Sequence, residues 1–370
     1  MQSMFNWKIV FLHCFMSAIA FKEYLDTSGL ATWHRLTDNA RRVVIVGHAS
    51  PDGDAMGSAL ALALALQREG RQVKVMMPNA FPDFLTWLPG AGEVLNAEYH
   101  KKTAHAVLAE ADLLCCLDFN ALHRTEWLTP QLERTTCPRL MIDHHLKPDF
   151  RGDLLVSDSG ASSTCEIVFS LLWQLGEFQK ASREMAECLY CGMMTDTGGF
   201  TYNSNRPILF QIIAELLAKG IDKDRIYRNV YHSYSFNRMR LQGYILYEKL
   251  VYFEEAHAAL FTLTRDEMKS FQFKKGDAEG LVNLPLQIKG TRLCISLRED
   301  TEQPLIRVSL RSVDDYKCNV LAERFFNGGG HANAAGGRLE MTMDEAVEVA
   351  RQAIAAFGEE QKEQETGTKV

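Results

Sequence analysis

The sequence predicts an α/β protein in which a parallel sheet with helices on both faces is joined by a helical linker to a smaller α+β domain. Three observations carry that prediction. Short apolar, partly β-branched runs alternate with helix-forming stretches through the N-terminal half. Several of these runs stop at a His or an Asp, as strands do when they end at the ligand crevice of an open parallel sheet. Past residue 250 the apolar runs follow one another as antiparallel strands would.

In chain order, Val43–Val46, Val73–Met77, Leu113–Leu117 and Leu140–Ile142 are read as strands, being too short for helices and rich in branched or apolar residues. Between the first two lies Gly57–Gln67, an Ala/Leu stretch of high helix propensity with Gly70 as its stop. Ser163-Thr-Cys-Glu166 before Ile167–Leu172 reads as a capping box opening another helix. Asn203–Leu250 is helical and charge-rich, including Asp222–Arg228 and Asn237–Lys249, and is expected to form a connecting arm. Tyr252-Phe253, His257–Thr264, Thr291–Leu297 and Leu305–Leu310 are the antiparallel strands expected of the second domain. The expected organisation is a poorly ordered leader over 1–24, a catalytic domain over 25–205, a helical linker over 206–250 and a substrate-binding domain over 251–357. Residues 358–370, rich in Glu, Gln and Lys, are expected as a disordered tail. No internal repeat is visible.

A chain of 370 residues is long enough for two domains with separate cores, and 46% hydrophobic with 24% charged residues describes a soluble globular protein. Its formal net charge of −7 argues against broad binding of long nucleic acid, which relies on many Lys and Arg contacts to phosphate. The nine cysteines are odd in number and mostly embedded in apolar runs, which fits buried thiols in a cytoplasmic protein. Cys188 and Cys191 have a C-x-x-C spacing without the second pair a zinc site needs, and as helical neighbours they read as core. Phe5–Phe21 is largely apolar, but an uncharged start and the interruptions at Lys8 and His13 fit neither an export signal nor a membrane span. A start assigned too far upstream would look the same.

The chemistry is concentrated at the ends of the predicted strands. The first runs into His48, Asp52 and Asp54; the third ends in Asp118; the fourth ends in Asp143, His144 and His145; and Gly192–Gly199 supplies Asp196. In an open parallel sheet these groups can converge beyond the carboxyl ends of the strands. Any four of these five carboxylates would repel one another in a confined cleft, and four negative charges match two divalent cations. Mixed carboxylate and imidazole donors suit Mn²⁺ best, with Fe²⁺, Co²⁺ or Zn²⁺ as alternatives and an all-oxygen Mg²⁺ cage less suited. Taken singly, an Asp after a strand is more often a turn former or helix cap. Joint order and strand-end context lift this set above others such as Asp83, Asp112, Asp158 and His123, which are read as ordinary.

The segments GHASPDGDAMGS, CLDF, DHHL and MMTDTGGF, in this order and with these separations, resemble the four motifs of the DHH phosphoesterase superfamily. Gly328-Gly-Gly-His331-Ala-Asn-Ala-Ala-Gly336 is similar to the GGGH-x-x-A-A-G signature of its DHHA1 subfamily, so the resemblance covers about residues 40 to 340. Length and spacing most resemble the bifunctional oligoribonucleases that also act as 3′-phosphoadenosine 5′-phosphate phosphatases. The resemblance implies that His48, Asp52 and Asp118 hold one metal, and that Asp54, Asp118, His144 and Asp196 hold the other with Asp118 bridging. Asp143 would then fix the ring of one histidine, and His145 would lie close to the metals without being a principal ligand.

Two such metals, about 3.5–4 Å apart, would hold a hydroxide and brace a phosphoryl group for in-line attack, with His145 assisting the leaving 3′-oxygen. Gly328, Gly329 and Gly330 would let backbone N–H groups approach an anion before His331, and Arg311 would add a bidentate grip. A second domain of this kind measures substrate length, so short single-stranded RNA of a few nucleotides, or small nucleotides such as adenosine 3′,5′-bisphosphate, are the expected substrates. No membrane partner is expected, and oligomeric state is left open, a homodimer included. The alternatives are cleavage of linear or cyclic dinucleotide signals, a manganese-dependent pyrophosphatase disfavoured by the GGGH segment, and a non-catalytic nucleotide sensor.

Overall fold

A computed structural model describes residues 20–274 and 276–367. Most of the expected leader therefore lies outside the described residues. The chain divides into two compact units between His232 and Ser233. In the first unit the order is α1 (Thr27–Asp38), β1 (Arg42–Val46), α2 (Gly53–Arg68), β2 (Gln72–Met77), β3 (Leu95–Asn96), α3 (Lys101–Ala109) and β4 (Leu113–Leu117). It continues through α4 (Thr129–Arg134), β5 (Arg139–Asp143), β6 (Leu154–Ser157), α5 (Thr164–Gln174), α6 (Arg183–Asp196), α7 (Pro207–Ala218) and α8 (Lys223–Tyr231).

All six strands are parallel, in the order β3-β2-β1-β4-β5-β6. The continuous apolar runs hide a strict alternation. Val43 and Ile45 of β1, with Leu113, Cys115 and Leu117 of β4, face one core; Val44, Val46, Leu114 and Cys116 face the other. Both cores are covered by helices, which is why the strands read as unbroken apolar segments. Helix α2 begins at Gly53 rather than at the expected Gly57, because Asp52 caps it, accepting from the N–H groups of Asp54 and Ala55 at 3.0 Å. At the start of α5 only half of the expected capping box forms. Ser163 Oγ accepts from Glu166 N, whereas the Glu166 carboxylate accepts from Ser162 and from Arg206.

The expected connecting arm is divided between the units. Leu209, Ile212, Ile213 and Leu216 of α7, with Ile226 and Val230 of α8, are buried in the core of the first unit. Their apolar stripes dock these helices there.

The second unit contains α9 (Phe236–Tyr244), a π-helical turn over Ile245–Lys249, β7 (Val251–Phe253), β8 (Ala258–Leu263) and α10 (Arg265–Ser270). It continues through β9 (Leu293–Glu299), β10 (Ile306–Ser312), α11 (Cys318–Phe325), β11 (Gly329–His331), β12 (Ala334–Leu339) and α12 (Met343–Gly367). Its sheet runs β11-β12-β10-β9-β8-β7. One expected antiparallel pair is corrected: β8 and β9 pair parallel, since residues 264–292 cross over between them instead of turning back as a hairpin. The segment expected as a tail from residue 358 is helical as far as Gly367, and Gln361 is buried there with its amide on the Ala256 carbonyl and on Arg292. Among the described residues no helix is long and apolar enough to cross a membrane.

Candidate metal centre

Strand β1 delivers His48 just past its last residue, and the His48 ring is buried. Its Nδ1 lies 2.8 Å from the Ala49 carbonyl, so the proton belongs on that nitrogen and Nε2 points at carboxylates. Nε2 stands 3.5 Å from Asp118 Oδ2 and 3.8 Å from Asp52 Oδ2. Strand β4 ends directly in Asp118, whose φ of +63° places a non-glycine residue in the left-handed region. The Asp118 N–H donates to the Ile142 carbonyl at 3.0 Å, which ties this bend to the end of β5.

From the end of β5, buried His144 brings Nε2 within 3.3 Å of Asp196 Oδ2, 3.5 Å of Asp118 Oδ1 and 3.8 Å of Asp54 Oδ2. Asp143 turns to the other histidine. His145 donates its backbone N–H to Asp143 Oδ2 at 3.1 Å and sets Nδ1 2.7 Å from Oδ1. Asp54 is fully enclosed, its two oxygens accepting from the N–H groups of Thr164 at 2.6 Å and Cys165 at 2.9 Å. Asp196 arrives differently from the others: it is the last residue of helix α6, not the end of a strand as its sequence context suggested.

The two oxygens of Asp118 thus serve two clusters. One contains His48, Asp52 and Asp118; the other contains Asp54, Asp118 and His144, with donor atoms in each within 4.8 Å of one another. Asp118, Asp143 and His145 form a third such group. Burial pushes the Asp54 carboxyl well above its usual range, and the charges of Asp118, Asp196 and Asp52 add to the effect. Burial works against the charged form of His48 too, but hydrogen bonds to Asp118 and Asp52 outweigh it and hold the ring pKa up at about 10. Burial likewise opposes ionisation of Asp118, yet its bond to His48 and the neighbouring His145 and His144 rings keep it far below the carboxylate range. The protons that tie these crowded carboxylates to the imidazoles are what a divalent cation would displace, and the donor set fits mixed O/N ligation.

In the second unit, Arg311 on β10 and His331 on β11 are both in register with Ala334 on β12. Cross-strand partners share a face, so the two basic residues stand on one face with an alanine between them. Gly329 and Gly330 open the edge strand β11, and Gly328 stands just before it. A Cβ at Gly328 would lie 1.9 Å from the Gly336 carbonyl oxygen, and one at Gly330, where φ is +143°, 2.6 Å from that of Ala334. A Cβ at Gly329 would meet nothing within 4 Å. Thr164 is a site residue that sequence reasoning missed; its segment signalled only a helix start.

Comparison with known proteins matches residues 42–193 to the DHH family, N-terminal domain, and residues 257–358 to the DHHA1 domain. A crystal structure of an exopolyphosphatase-related protein from Bacteroides fragilis is 46% identical, with a TM-score of 0.87 over 92% of this chain and 100% of that one. The bifunctional oligoribonuclease and PAP phosphatase NrnA of Bacillus subtilis is 27% identical over 82% of this chain and 91% of its own length. The cyclic-di-AMP phosphodiesterase GdpP of Bacillus subtilis is 24% identical over 88% of this chain but only 49% of its own length.

Proposed function

The chain belongs to the DHH phosphoesterase family and is a hydrolase of phosphoester bonds, and from that premise we propose that it cleaves short oligoribonucleotides to mononucleotides and removes the 3′-phosphate of adenosine 3′,5′-bisphosphate. The observation that carries this reading is the pair of His/Asp clusters sharing Asp118. His48, Asp52 and Asp118 would hold one divalent cation, most suitably Mn²⁺, and Asp54, Asp118, His144 and Asp196 the other. When bound, such cations polarise a phosphoryl group and lower the pKa of water toward neutrality.

The chain's own residues supply the rest. Asp143, bonded to Nδ1 and the backbone N–H of His145, fixes that ring, and we assign to His145 Nε2 the delivery of a proton to the leaving oxygen. Arg311 and His331, standing on one face of the second sheet, would grip the phosphate of the substrate's far end. Gly329 leaves open space beside them, and Gly328 and Gly330 allow the edge strand to approach its neighbours closely enough to form that surface.

Side-by-side turnover of a dinucleotide, a pentanucleotide, cyclic di-AMP and adenosine 3′,5′-bisphosphate with Mn²⁺ tests the proposal. Short linear RNA and the bisphosphate should be consumed and cyclic di-AMP spared. Preferred turnover of cyclic di-AMP would move the chain to the dinucleotide-signal reading that the GdpP likeness supports. Hydrolysis that survives Asp118→Ala would remove Asp118 from the centre.

A further inference from the structure

Thr164 touches Asp54 and Asp118 of one cluster and, of the other, only the shared Asp118. Its Oγ1 donates to Asp118 Oδ1 at 2.8 Å, and its backbone N–H donates to Asp54 Oδ2 at 2.6 Å. Residues Ser163, Thr164 and Cys165 are fully buried at the N-terminus of α5. The first amides of a helix have no partner within it, and here they are divided. Glu166 N takes the Ser163 cap, while Thr164 N and Cys165 N both go to the Asp54 carboxylate. A helix start, whose amides cannot rotate independently, therefore fixes one carboxylate. The only part of Thr164 that can turn, its hydroxyl, reaches the next carboxylate.

Asp118 needs such a hold. Its backbone is set by the left-handed φ of +63° and the bond to Ile142, but those leave its side chain to rotate. The oxygen Thr164 engages is Oδ1, the one 3.5 Å from His144; Oδ2, on the His48 side, receives nothing from it. We propose that Thr164 is a positioning residue that cross-braces Asp54 and Asp118, setting the affinity of the His144-side cation while leaving the His48-side cation unaffected. This rests on the metal assignment proposed above.

The test is stepwise Mn²⁺ binding to the full chain, followed by electron paramagnetic resonance of free Mn²⁺, for wild type, Thr164→Val and Thr164→Ser. Loss of a bond that orients a ligand weakens metal binding about 10- to 100-fold. The Val variant, which keeps the shape and the backbone amide, should lose that factor for one ion only, and the Ser variant should restore it. Wild-type affinities for both ions in the Val variant would overturn the proposal. So would equal weakening of both ions with a lowered melting temperature of the metal-free protein, which would make Thr164 a packing residue. A wild-type chain that hydrolyses dinucleotides but binds a single ion overturns the brace and leaves the hydrolase intact. A chain that shows the one-ion loss yet cleaves no oligonucleotide supports the brace and removes the proposed substrate.

Discussion

The three consecutive glycines before His331 can be separated by alanine substitution, because the backbone gives each a different reason to be glycine. At Gly328 a Cβ would overlap the Gly336 carbonyl oxygen at 1.9 Å, and at Gly330 it would lie 2.6 Å from the Ala334 carbonyl oxygen and 2.9 Å from Ala335 Cα. Neither neighbour is the end of a flexible side chain; both belong to β12, so the strand pair itself must move. Overpacking of this kind costs about 1–3 kcal/mol. Gly330 carries a further penalty, since φ +143° is rarely adopted by L side chains and such strain costs on the order of 1–3 kcal/mol. At Gly329 no atom lies within 4 Å of the added carbon, so Ala there should be neutral or stabilising by about 0.4–1 kcal/mol through the unfolded chain. With about 2–8 °C of melting temperature per kcal/mol, Gly328→Ala and Gly330→Ala should melt several degrees lower, and Gly329→Ala at or above wild type. Kinetics should reverse that order of surprise. Gly329→Ala fills the space beside Arg311 and His331 that is assigned to the substrate phosphate, so KM for a dinucleotide should rise severalfold at unchanged stability. The assays are scanning calorimetry and steady-state hydrolysis with Mn²⁺. An unaltered KM for Gly329→Ala would refute a substrate role for that surface, and a melting temperature lowered as far as that of Gly328→Ala would refute the steric reasoning.

Asp143→Asn should lower kcat roughly 10- to 100-fold while Mn²⁺ content stays at the wild-type level. The carboxylate accepts two N–H groups of His145 but an amide offers one acceptor oxygen, and charge-assisted bonds are worth about 1.5–3 kcal/mol. His145→Ala should cost about as much, and the double variant little more; additive losses by the same steady-state assay would show that Asp143 does not act through His145. Gly192→Ala would place a Cβ 2.2 Å from Cys165 Sγ and 2.9 Å from Asp54 Oδ1, so it should cost about 1–3 kcal/mol in denaturant unfolding and weaken Mn²⁺ binding. Adding Cys165→Ala should recover part of both, and no recovery would discount the clash. In the metal-free protein His48 is raised from 6.5 to about 10, so its contribution is fully present below pH 6.5 and lost as pH rises through about 10. Denaturant midpoints of metal-free protein should therefore fall between pH 6.5 and 9.5, while Mn²⁺ affinity should rise with pH because binding displaces that proton. A flat stability profile across this window would contradict the His48–Asp118 pairing.

How much of this was readable beforehand follows from how local each signal is. The strand ends were legible because an apolar run stopping at Asp118 or at Asp143 carries both strand and ligand in adjacent letters. Asp196 misled because Met185–Met194 of α6 is buried without interruption, so the helix shows no polar stripe and its apolar end resembles a strand. The parallel pairing of β8 and β9 was invisible for a related reason: alternation fixes which face a residue takes, not the direction of the neighbouring strand. Helices α7 and α8 looked like an arm because the charge-rich Asp222–Arg228 dominates that stretch; α7 itself is apolar on both sides, with Phe210 and Leu217 exposed, and Leu209, Ile212 and Leu216 join the first core together with Ile226 of α8.

Thr164 lay beyond reach for a stronger reason. Its partners Asp118 and Asp54 are 46 and 110 residues away, and nothing in Ser163-Thr-Cys-Glu166 distinguishes an amide that caps its own helix from one that holds a distant carboxylate. Residue type at a strand end can announce a ligand, because the ligand's own chemistry is local. The geometry that makes ligands into a site is supplied by groups with no such chemistry. In this chain that work falls to a threonine hydroxyl, two helix amides and two glycines at 57 and 192, whose missing Cβ atoms would otherwise meet the Cys188 carbonyl at 2.5 Å and Cys165 Sγ at 2.2 Å. Close contact of α2 with α6 sets where Asp54 stands relative to Asp196, so the ligand set depends on small residues as much as on the Asp-His-His segment that announces it.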